Sequence, residues 1–267
     1  MLWLRILNPA KDKIDDALIV RGTVYNKQER LSHGADEDEY DYYHSTRHPV
    51  VYDDSKPVAT NRLLFGNEQI AHTRSRHYGI ALEDLLDLSP LKEVGLAVVE
   101  FGRLAALEEY RRSKAIRLLL AGAYWTSRDT NADLWVAAAN AESDVLEDAL
   151  LMARVASARR LDSPLRVGAR TPSSPPANPS KTFYTPMHWA LAQQGYLSAL
   201  PLPQLLTMYV EKFGALVMGE PLYIHEFSRW TLPISAWLKR IPARTLAQFN
   251  ALEKSRRSLG QAPRRAA

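Results

Sequence analysis

The sequence predicts an α/β fold built on a mixed β-sheet. Apolar runs typical of strands alternate along the chain with segments of helical periodicity. Two of these runs, within residues 49–66, flank a short polar turn and predict a β-hairpin, which places antiparallel strands in the sheet. The sequence has no internal repeat of the kind that builds a solenoid or a propeller. Alternation together with a hairpin favours a mixed sheet over a purely parallel, doubly wound one.

The N-terminal half supplies four predicted strands and three predicted helices. In the first helix, Ile14, Leu18 and Tyr25 fall near helical spacing after an acidic start. In the hairpin, Pro57 stands at the start of the second strand, where a missing N–H is tolerated. The polar, acidic residues 32–48 predict a loop. The predicted elements in chain order are a strand at Leu2–Leu7, a helix opening at 12–16, the hairpin at 49–66, a short helix at 80–88, a strand at 94–106 and a helix at 112–127.

The C-terminal half continues the alternation and is interrupted by a proline-rich segment. Residues 170–181 contain four prolines and no periodicity, which predicts a loop or hinge. Leu246, Phe249 and Leu252 share one side of the last predicted helix. The predicted elements are a strand at 133–141, a helix at 142–160, a helix near 202–213, a strand near 214–224 and a helix at 242–259.

The composition excludes several kinds of protein and site. The chain has 267 residues, of which 46% are apolar and 24% charged, as in an ordinary soluble globular protein. It has no cysteine, which excludes disulfides, thiolate metal sites and cysteine nucleophiles. The seven histidines show no convincing ligand spacing, so we expect no metal site. The sequence also lacks a G-x-S-x-G elbow and a P-loop.

The positive charge is concentrated near the C-terminal end. The formal net charge is +4, and residues 239–267 contain eight basic residues and one acid, so this segment carries +7 and the rest −3. A nucleic-acid-binding protein normally displays basic residues on a folded face, so we expect no nucleic-acid partner. We interpret residues 1–238 as one folded domain. Residues 239–267 are a basic tail, partly disordered or amphipathic, which is either solvated or in contact with an acidic protein or anionic lipid.

We expect the protein in the cytoplasm. The apolar stretch at the N-terminus is too short for a signal peptide and has no small-residue cleavage site. No window approaches the roughly 18 uninterrupted apolar residues of a transmembrane helix. The lack of cysteine is consistent with a reducing compartment. Peripheral contact of the basic tail with the inner membrane is compatible with this location.

One predicted strand carries charges that buried strands rarely tolerate. The stretch VVEFGRLAA, within residues 94–106, is polar only at Glu100 and Arg103. Charged side chains are usually buried only where they pair with an opposite charge or take part in the function of the protein. Positions three apart point to opposite faces of a regular strand. Gly102 lies where a β-bulge would bring both side chains to one face.

Three further groups of charged residues stand out. Arg21 lies among apolar residues of the first helix, Asp38 and Asp41 lie in the acidic loop, and Arg62 lies inside the second hairpin strand. Two interpretations stay open. The charges form one buried structural ion network, or Glu100 is desolvated by the sheet, has a raised pKa and serves as a general base.

The order and spacing of these residues resemble a known superfamily. The matching motifs are Arg21-x-x-Val24-Tyr25, Asp38-Glu-Tyr-Asp41, Arg62-Leu63 and Glu100-Phe-Gly-Arg103. The set resembles acyl-homoserine-lactone synthases, N-acyl amino acid synthases and ornithine-lipid N-acyltransferases, all of the GNAT-like acyltransferase superfamily. The later stretch LPQLLTMYVEKFGALVMGEPLYIHEF resembles the lipid-forming branch. The resemblance therefore covers most of residues 14–227.

The resemblance implies a GNAT-like fold for residues 1–238, with a mostly antiparallel central sheet that is flanked by helices and splayed at a bulge. It implies transfer of a fatty acyl group to the amine of an amino acid or similar small amine. The donor substrate is an acyl-phosphopantetheine thioester, and no cofactor is tightly bound. Catalysis is assigned to Glu100, as the base, and to Arg103. Substrate binding is assigned to Arg21, Tyr25, Asp38, Asp41, Arg62 and Phe101.

Two departures from the family pattern bear on the acceptor and the donor. Lactone synthases usually carry a tryptophan near the position of Leu31, but no tryptophan lies between Trp3 and Trp125. Coenzyme A-dependent members carry a glycine-rich turn that binds pyrophosphate, and Lys114 stands where glycine is expected. We therefore favour acyl carrier protein, which is strongly acidic, as the donor. Its binding is assigned to the basic start of this helix, namely Arg111, Arg112, Lys114 and Arg117.

Two alternatives to this function stay open. One is an acyl-homoserine-lactone synthase that uses S-adenosylmethionine. The other is a non-catalytic module that binds acylated carrier protein or a membrane, although the complete set of Glu100 and arginines argues against it. The acyl chain needs an apolar site. The candidate residues for it, each explained better by core packing, are Leu118, Leu119, Tyr124, Trp125 and Trp135.

Overall fold

A mixed β-sheet forms the centre of the protein. The computed structural model describes residues 1–27, 36–171, 174, 176 and 178–258. The strands are β1 (Leu2–Leu7), β2 (Thr46–Asp53), β3 (Lys56–Phe65), β4 (Leu86–Asp87), β5 (Val98–Ala106), β6 (Leu134–Asn140), β7 (Gly168–Ala169), β8 (Leu216–Val217), β9 (Leu222–Ile224) and β10 (Arg229–Trp237).

The strand order confirms the predicted fold class. Within the described residues, the main sheet follows the order β1–β2–β3–β5–β6–β10–β8, and β9 also pairs with β10. Every pairing in this sheet is antiparallel except that of β5 with β6. Strands β4 and β7 form a separate two-stranded sheet. The sheet is therefore mixed and mostly antiparallel, and its one parallel pair lies at the centre.

Helices cover both faces of the main sheet. They are α1 (Asp15–Lys27), α2 (Glu68–Thr73), α3 (Ser89–Glu93), α4 (Lys114–Asp129), α5 (Leu146–Ala158), α6 (Pro186–Gln193), α7 (Gln204–Phe213) and α8 (Ala243–Ser258). Helix α1 packs on β2, β3 and β5 from one side, whereas α4 packs on β1, β2 and β3 from the other. The largest core cluster lies on the α4 side, where Phe101 and Trp135 of the sheet meet Phe213 of α7.

Strand β10 has no counterpart among the predicted elements. Its sequence contains Pro233, which cannot donate a backbone hydrogen bond and argues against a central strand. The structure accommodates this proline where the ladder on one side of β10 is interrupted: β9 pairs with residues 229–231, and β8 pairs with residues 234–235. The single strand predicted near 214–224 is accordingly two short strands, β8 and β9.

The predicted basic tail begins as folded structure. Helix α8 packs on α4, with Phe249 buried against the Tyr124 ring at 5.5 Å between centroids. Leu246 and Leu252 also pack against the main core cluster. The apolar stripe that suggested a membrane contact is therefore turned inward in these residues. The boundary at residue 238 and the membrane contact stay predictions, and residues 259–267 lie outside the described part of the chain.

The helices of the described residues are not suited to crossing a membrane. None of them combines the length and the apolar character that a bilayer span requires.

Candidate active site

A β-bulge in β5 brings Glu100 and Arg103 to one face of the sheet. Between the pairs Thr60–Ala105 and Arg62–Gly102, β5 advances three residues while β3 advances two, so β5 carries the extra residue. The alternation of side chains shifts there accordingly. Phe101 and Leu104 both pack on the α4 side, whereas Ala105 packs on the α1 side. The predicted bulge is confirmed.

The conformational cost of this bulge falls on Arg103. Its backbone φ is +52°, in the left-handed region that residues with a Cβ adopt rarely. Gly102 keeps an ordinary φ, so its role is not backbone freedom. Strained residues of this kind persist where the surroundings hold them, often at functional sites. Arg103 is held by three carboxylates, which are described below.

The central strands separate at Glu100 and leave a cavity between them. Strands β5 and β6 pair only at Val98, Val99 and Glu100; beyond this point β5 stays with β3 and β6 stays with β10. This is the splay that the family resemblance implies. A cavity of about 430 Å³ opens there. Its lining includes Tyr25, Asp38, Tyr40, Arg62, Asp84, Glu100, Phe101, Gly102, Arg103, Leu104, Ala138, Asn140, Leu205, Tyr209, Tyr223, His225, Glu226 and Phe227.

Glu100 is a buried carboxylate at the wall of this cavity. The residue is 8% exposed, and its Oε2 accepts a hydrogen bond of 2.7 Å from the backbone N–H of Leu82. It forms no ion pair with any described residue. Burial raises the pKa of Glu100 above its ordinary value, although the charges of Arg62 and Arg103 and the Leu82 hydrogen bond act in the opposite direction. A carboxylate with this environment is suited to accepting a proton.

Arg21, Asp36 and Asp41 form what we call the closed cluster. All three side chains are fully buried. Arg21 Nε donates to Asp36 at 2.5 Å, and its two terminal nitrogens donate to the two oxygens of Asp41 at 2.6 and 3.0 Å. Burial alone would raise the pKa of Asp41, but the hydrogen bonds from Arg21 and the charges of Arg62 and Arg21 outweigh it and hold that pKa well below its usual range.

Arg62 and Asp38 connect the closed cluster to the cavity. Arg62 Nη1 contacts Asp38 at 2.6 Å and Asp41 at 3.0 Å, so one guanidinium bridges a cavity carboxylate and a buried one. Arg62 and Asp38 line the cavity, whereas Arg21 and Asp41 do not. The structure thus brings the predicted residues into one network but leaves Arg21 and Asp41 without access to the cavity.

Arg103 links three segments of the chain across the cavity. Its guanidinium contacts Asp36 at 2.7 Å, Asp38 at 3.0 Å and Glu226 at 2.9 Å. The ring of Phe227 lies 5.1 Å from the guanidinium carbon. Burial alone would lower the pKa of Arg103, but the surrounding carboxylates raise it, so the side chain is permanently charged.

The other predicted substrate residues lie at the edges of the cavity. Tyr25 lines it and donates its hydroxyl hydrogen bond to the carbonyl of Leu104 at 3.1 Å. Phe101 contributes to the lining, but its ring packs in the core against Trp135 and Tyr209. Phe101 therefore supports the strand from the opposite face.

The basic residues assigned to carrier binding lie at the start of α4. Arg111, Arg112, Lys114 and Arg117 are all exposed. Ser113 caps the helix, because its hydroxyl accepts a hydrogen bond from the N–H of Ala115 at 3.0 Å. The turn before α4 contains no glycine, so the close backbone approach that a glycine-rich pyrophosphate loop provides is not built here.

Two residues of the network are missing from the sequence-based set. Asp36 pairs with both Arg21 and Arg103, and Glu226 reaches Arg103 from the segment between β9 and β10. Asp36 lies in the same acidic loop as Asp38. The sequence therefore points to the loop, but it does not indicate that Asp36 is one of the loop residues that meet an arginine. Glu226 lies 123 residues from its partner, and no local signal identifies it.

The residues considered for an acyl site are not part of the cavity lining. Leu119, Trp125 and Trp135 are buried in the core, and Leu118 and Tyr124 pack against it. Core packing therefore accounts for these five residues better than an acyl site does. The apolar part of the cavity wall includes instead Leu104, Ala138, Leu205, Tyr209 and Phe227. The Leu31 position, which bears on the lactone alternative, lies outside the described residues.

Comparisons with known proteins agree with this architecture. Residues 21–121 match the family model of the acetyltransferase (GNAT) domain. BjaI, a CoA-dependent acyl-homoserine lactone synthase solved with MTA, is 11% identical with a TM-score of 0.50, covering 94% of this chain and 89% of that chain. FeeM, an N-acyl amino acid synthase from uncultured soil microbes, is 12% identical with a TM-score of 0.49, covering 90% and 92%. No curated protein sequence matches the chain.

At 11% identity and a TM-score of 0.50, the likeness to BjaI shows the fold alone. The family match covers the segment from α1 to the middle of α4, which includes the bulged strand and most of the ion network. Residues 21–121 therefore match the acetyltransferase (GNAT) domain model, and the chain as a whole has a GNAT-like fold.

Proposed function

We propose that the protein is an N-acyltransferase that moves a fatty acyl group from an acyl thioester to the amine of an amino acid or similar small amine. One observation carries the proposal: a buried carboxylate with a raised pKa, Glu100, stands where β5 and β6 separate and lines the cavity between them. A general base is needed because an amine is an ammonium ion near neutral pH and attacks a carbonyl only after it loses a proton.

The separated strands suit an extended donor arm. Beyond Glu100, the edge of β5 that faces β6 has no partner strand among the described residues. A phosphopantetheine arm laid along this edge takes the place of an added strand and meets backbone N–H and C=O groups. A backbone N–H of residues 101–104 then stabilises the oxyanion that forms when the thioester carbonyl is attacked.

The reaction balances with Glu100 as the base. The acceptor ammonium transfers one proton to Glu100, directly or through water, and the amine nitrogen attacks the thioester carbonyl carbon. The new C–N bond forms as the C–S bond breaks. Of the three ammonium protons, one leaves through Glu100 to water, one passes to the departing thiolate and one stays on the amide. Arg103 lies on the same face as Glu100, and its positive charge favours the ionised carboxylate.

The donor in this proposal is acyl carrier protein, with coenzyme A as the alternative. The exposed cations at the start of α4 and the glycine-free turn before it support a donor that is recognised by an acidic protein surface rather than by its nucleotide. The location that goes with this donor is the cytoplasm. A peripheral contact of the tail with anionic lipid belongs to the same proposal.

The test is a thiol-release assay with purified components. Acyl carrier protein loaded with a fatty acid is mixed with the enzyme and an amine, and both free thiol and the amide product are measured. We expect amine-dependent release that Glu100→Gln reduces strongly. Lactone formed from S-adenosylmethionine would establish the lactone-synthase alternative instead. Binding of the acyl carrier without any turnover, across a broad set of amines, would favour the non-catalytic module.

A further inference from the structure

The cations that line the cavity are already surrounded by the protein's own carboxylates. Arg62 contacts Asp38 and Asp41, and both terminal nitrogens of Arg103 contact carboxylate oxygens. Glu226 lies on the outer side of Arg103, where one of its oxygens accepts a hydrogen bond of 3.1 Å from Nη2 and the other lies 2.9 Å from Nη1. Among the described residues, both arginines of the cavity lining are therefore already paired with carboxylates, and the lining contains no lysine.

The charge of the cavity lining is negative as well. Its acids are Asp38, Asp84, Glu100 and Glu226, whereas its permanently charged bases are Arg62 and Arg103. Behind these arginines, the closed cluster holds two carboxylates and one guanidinium, whereas the lining acid Asp84 contacts Arg74 and Arg76 outside the lining. A cavity with low-dielectric walls and an excess of one charge concentrates ligands of the opposite charge. A group with its own carboxylate is repelled unless it displaces one of these acids.

We propose that the preferred acceptor is a small cationic amine that carries no carboxylate beside the nitrogen, with diamines favoured, and that Glu226 sets this preference. The inference rests on the N-acyltransferase function proposed above and narrows its acceptor class. The side chain of Glu226 is 45% exposed at the cavity rim, so it meets an entering ligand before Glu100 does. Glu226 is a specificity-determining residue in this account. Glu100 remains the base.

The specificity has a steric part besides the electrostatic one. Phe227 follows Glu226, stacks over Arg103 and contacts the ring of Tyr25 at 6.0 Å between centroids. The segment 225–227 thus joins Arg103 to α1 across the rim of the cavity. A free amino acid must break the Glu226–Arg103 pair to place its carboxylate on the guanidinium, whereas an amine without a carboxylate enters with the pair intact.

The experiment compares acceptors that differ only in the carboxylate. For each of ornithine and tyrosine, kcat/KM is measured for the amino acid, its carboxamide and its decarboxylated amine, 1,4-diaminobutane or tyramine. The carboxamide controls for size. We expect the amine and the carboxamide to exceed the amino acid by tenfold or more, and 1,4-diaminobutane to exceed tyramine. An amino acid that is used as well as its carboxamide, or better, overturns the proposal.

A variant tests the assignment to Glu226. Glu226→Gln keeps the size of the side chain, removes its charge and alters an exposed position, so the fold is retained. We expect the preference for the carboxamide over the amino acid to shrink severalfold, through a lower KM for the amino acid. Glu211→Gln, an exposed acid on α7 outside the cavity lining, is the matched control and leaves the preference unchanged. An unchanged preference in Glu226→Gln overturns the assignment.

The two proposals fail in different ways. If no amine of any class promotes thiol release, the N-acyltransferase function itself is wrong. If amines are acylated but carboxylate-bearing acceptors are preferred, the function stands and the inference about the acceptor is wrong.

Discussion

The closed cluster and the cavity around Glu100 contain the same types of charged residue, but their carboxylates differ in ion pairing and in pKa. In the closed cluster, Arg21 contacts Asp36 and Asp41, and all three side chains are fully buried. At the cavity wall, Glu100 is also buried, yet among the described residues its hydrogen-bond partner is the backbone N–H of Leu82. The first arrangement lowers the pKa of a carboxylate, and the second raises it.

The difference comes from the sheet. Where residues 36–41 pack against Arg21 of α1, guanidinium and carboxylate groups pair with each other out of contact with solvent, and such a buried ion pair is a structural device. Where β5 and β6 separate, the strands leave a carboxylate beside a cavity, and no described residue forms an ion pair with it. Residue type therefore does not distinguish a structural charge from a catalytic one. Pairing and access to a cavity do.

The largest effect is expected from Glu100→Gln, which keeps the size of the side chain but cannot accept the proton. Loss of a general base typically slows turnover by about a hundredfold to ten-thousandfold. The wild-type rate should rise with pH as Glu100 loses its proton, over a range above the ordinary value of 4.5, and this limb should be absent in the variant. The measurement is amide formation per folded molecule across pH. Near-normal turnover in the folded variant would show that Glu100 has a structural role and is not the general base.

The same variant should not lose stability near neutral pH. Because the folded state keeps the Glu100 proton at pH values where the unfolded chain releases it, wild-type stability falls as the pH rises from 4.5 through the raised pKa. Glu100→Gln removes this dependence, so its stability relative to wild type should increase over that range. Urea unfolding at several pH values measures the difference.

In contrast to Glu100→Gln, the substitution Arg21→Met in the closed cluster is expected to lower the stability of the fold. The substitution removes the guanidinium that Asp36 and Asp41 share, so each buried carboxylate keeps only one cation, Arg103 or Arg62; breaking a buried ion pair typically costs about 3–5 kcal/mol of unfolding free energy. Urea unfolding measures the loss, and the matched control is Arg117→Met at an exposed position of α4. Stabilities that agree within about 0.5 kcal/mol between the two variants would contradict the comparison, since surface substitutions usually change stability by no more than that.

A further prediction concerns His48, which contacts the closed cluster. Its Nε2 donates to the carbonyl of Asp41 at 3.0 Å, and burial lowers its pKa to about 4. The unfolded chain binds this proton at higher pH, so stability falls as the pH drops from about 6.5 towards 4, by up to about 3 kcal/mol. His48→Gln keeps a donor to the carbonyl but does not titrate. Its unfolding free energy should fall less steeply than that of wild type over this range; equal slopes would contradict the prediction.

The sequence predicts the centre of the site better than its rim. Glu100 and Arg103 are identifiable because two charges in an apolar strand need a structural reason, and the bulge provides it. Asp36 is harder to identify, since several carboxylates share its loop and composition does not say which of them meets an arginine. Glu226 depends on a contact between distant parts of the chain, which no local pattern encodes.

The sheet shows the same limit of local reasoning. The hairpin of β2 and β3 follows from two apolar runs and a turn, and β5 and β6 follow from apolar runs of strand length. Strand β10 has no counterpart among the predicted elements, and its Pro233 is compatible with a central strand only where the neighbouring ladder is interrupted. That interruption is a property of β8 and β9 together and is invisible in the sequence of β10 alone.

The smallest effect is expected outside both charged regions, at the exposed start of α4. Single exposed charges usually contribute about 0.2–1 kcal/mol to an interaction, so the double variant Arg112→Glu with Lys114→Glu should raise KM for an acyl carrier protein about three- to tenfold and leave kcat unchanged. Higher salt should shrink the difference, because it screens surface charges. Two controls isolate the carrier contact: acyl-pantetheine, which lacks the protein, and Arg154→Glu at an exposed position of α5. If the double variant weakens acyl-pantetheine use equally, or if Arg154→Glu raises KM as much, the start of α4 is not a carrier-binding surface, and the splayed strands alone account for donor recognition.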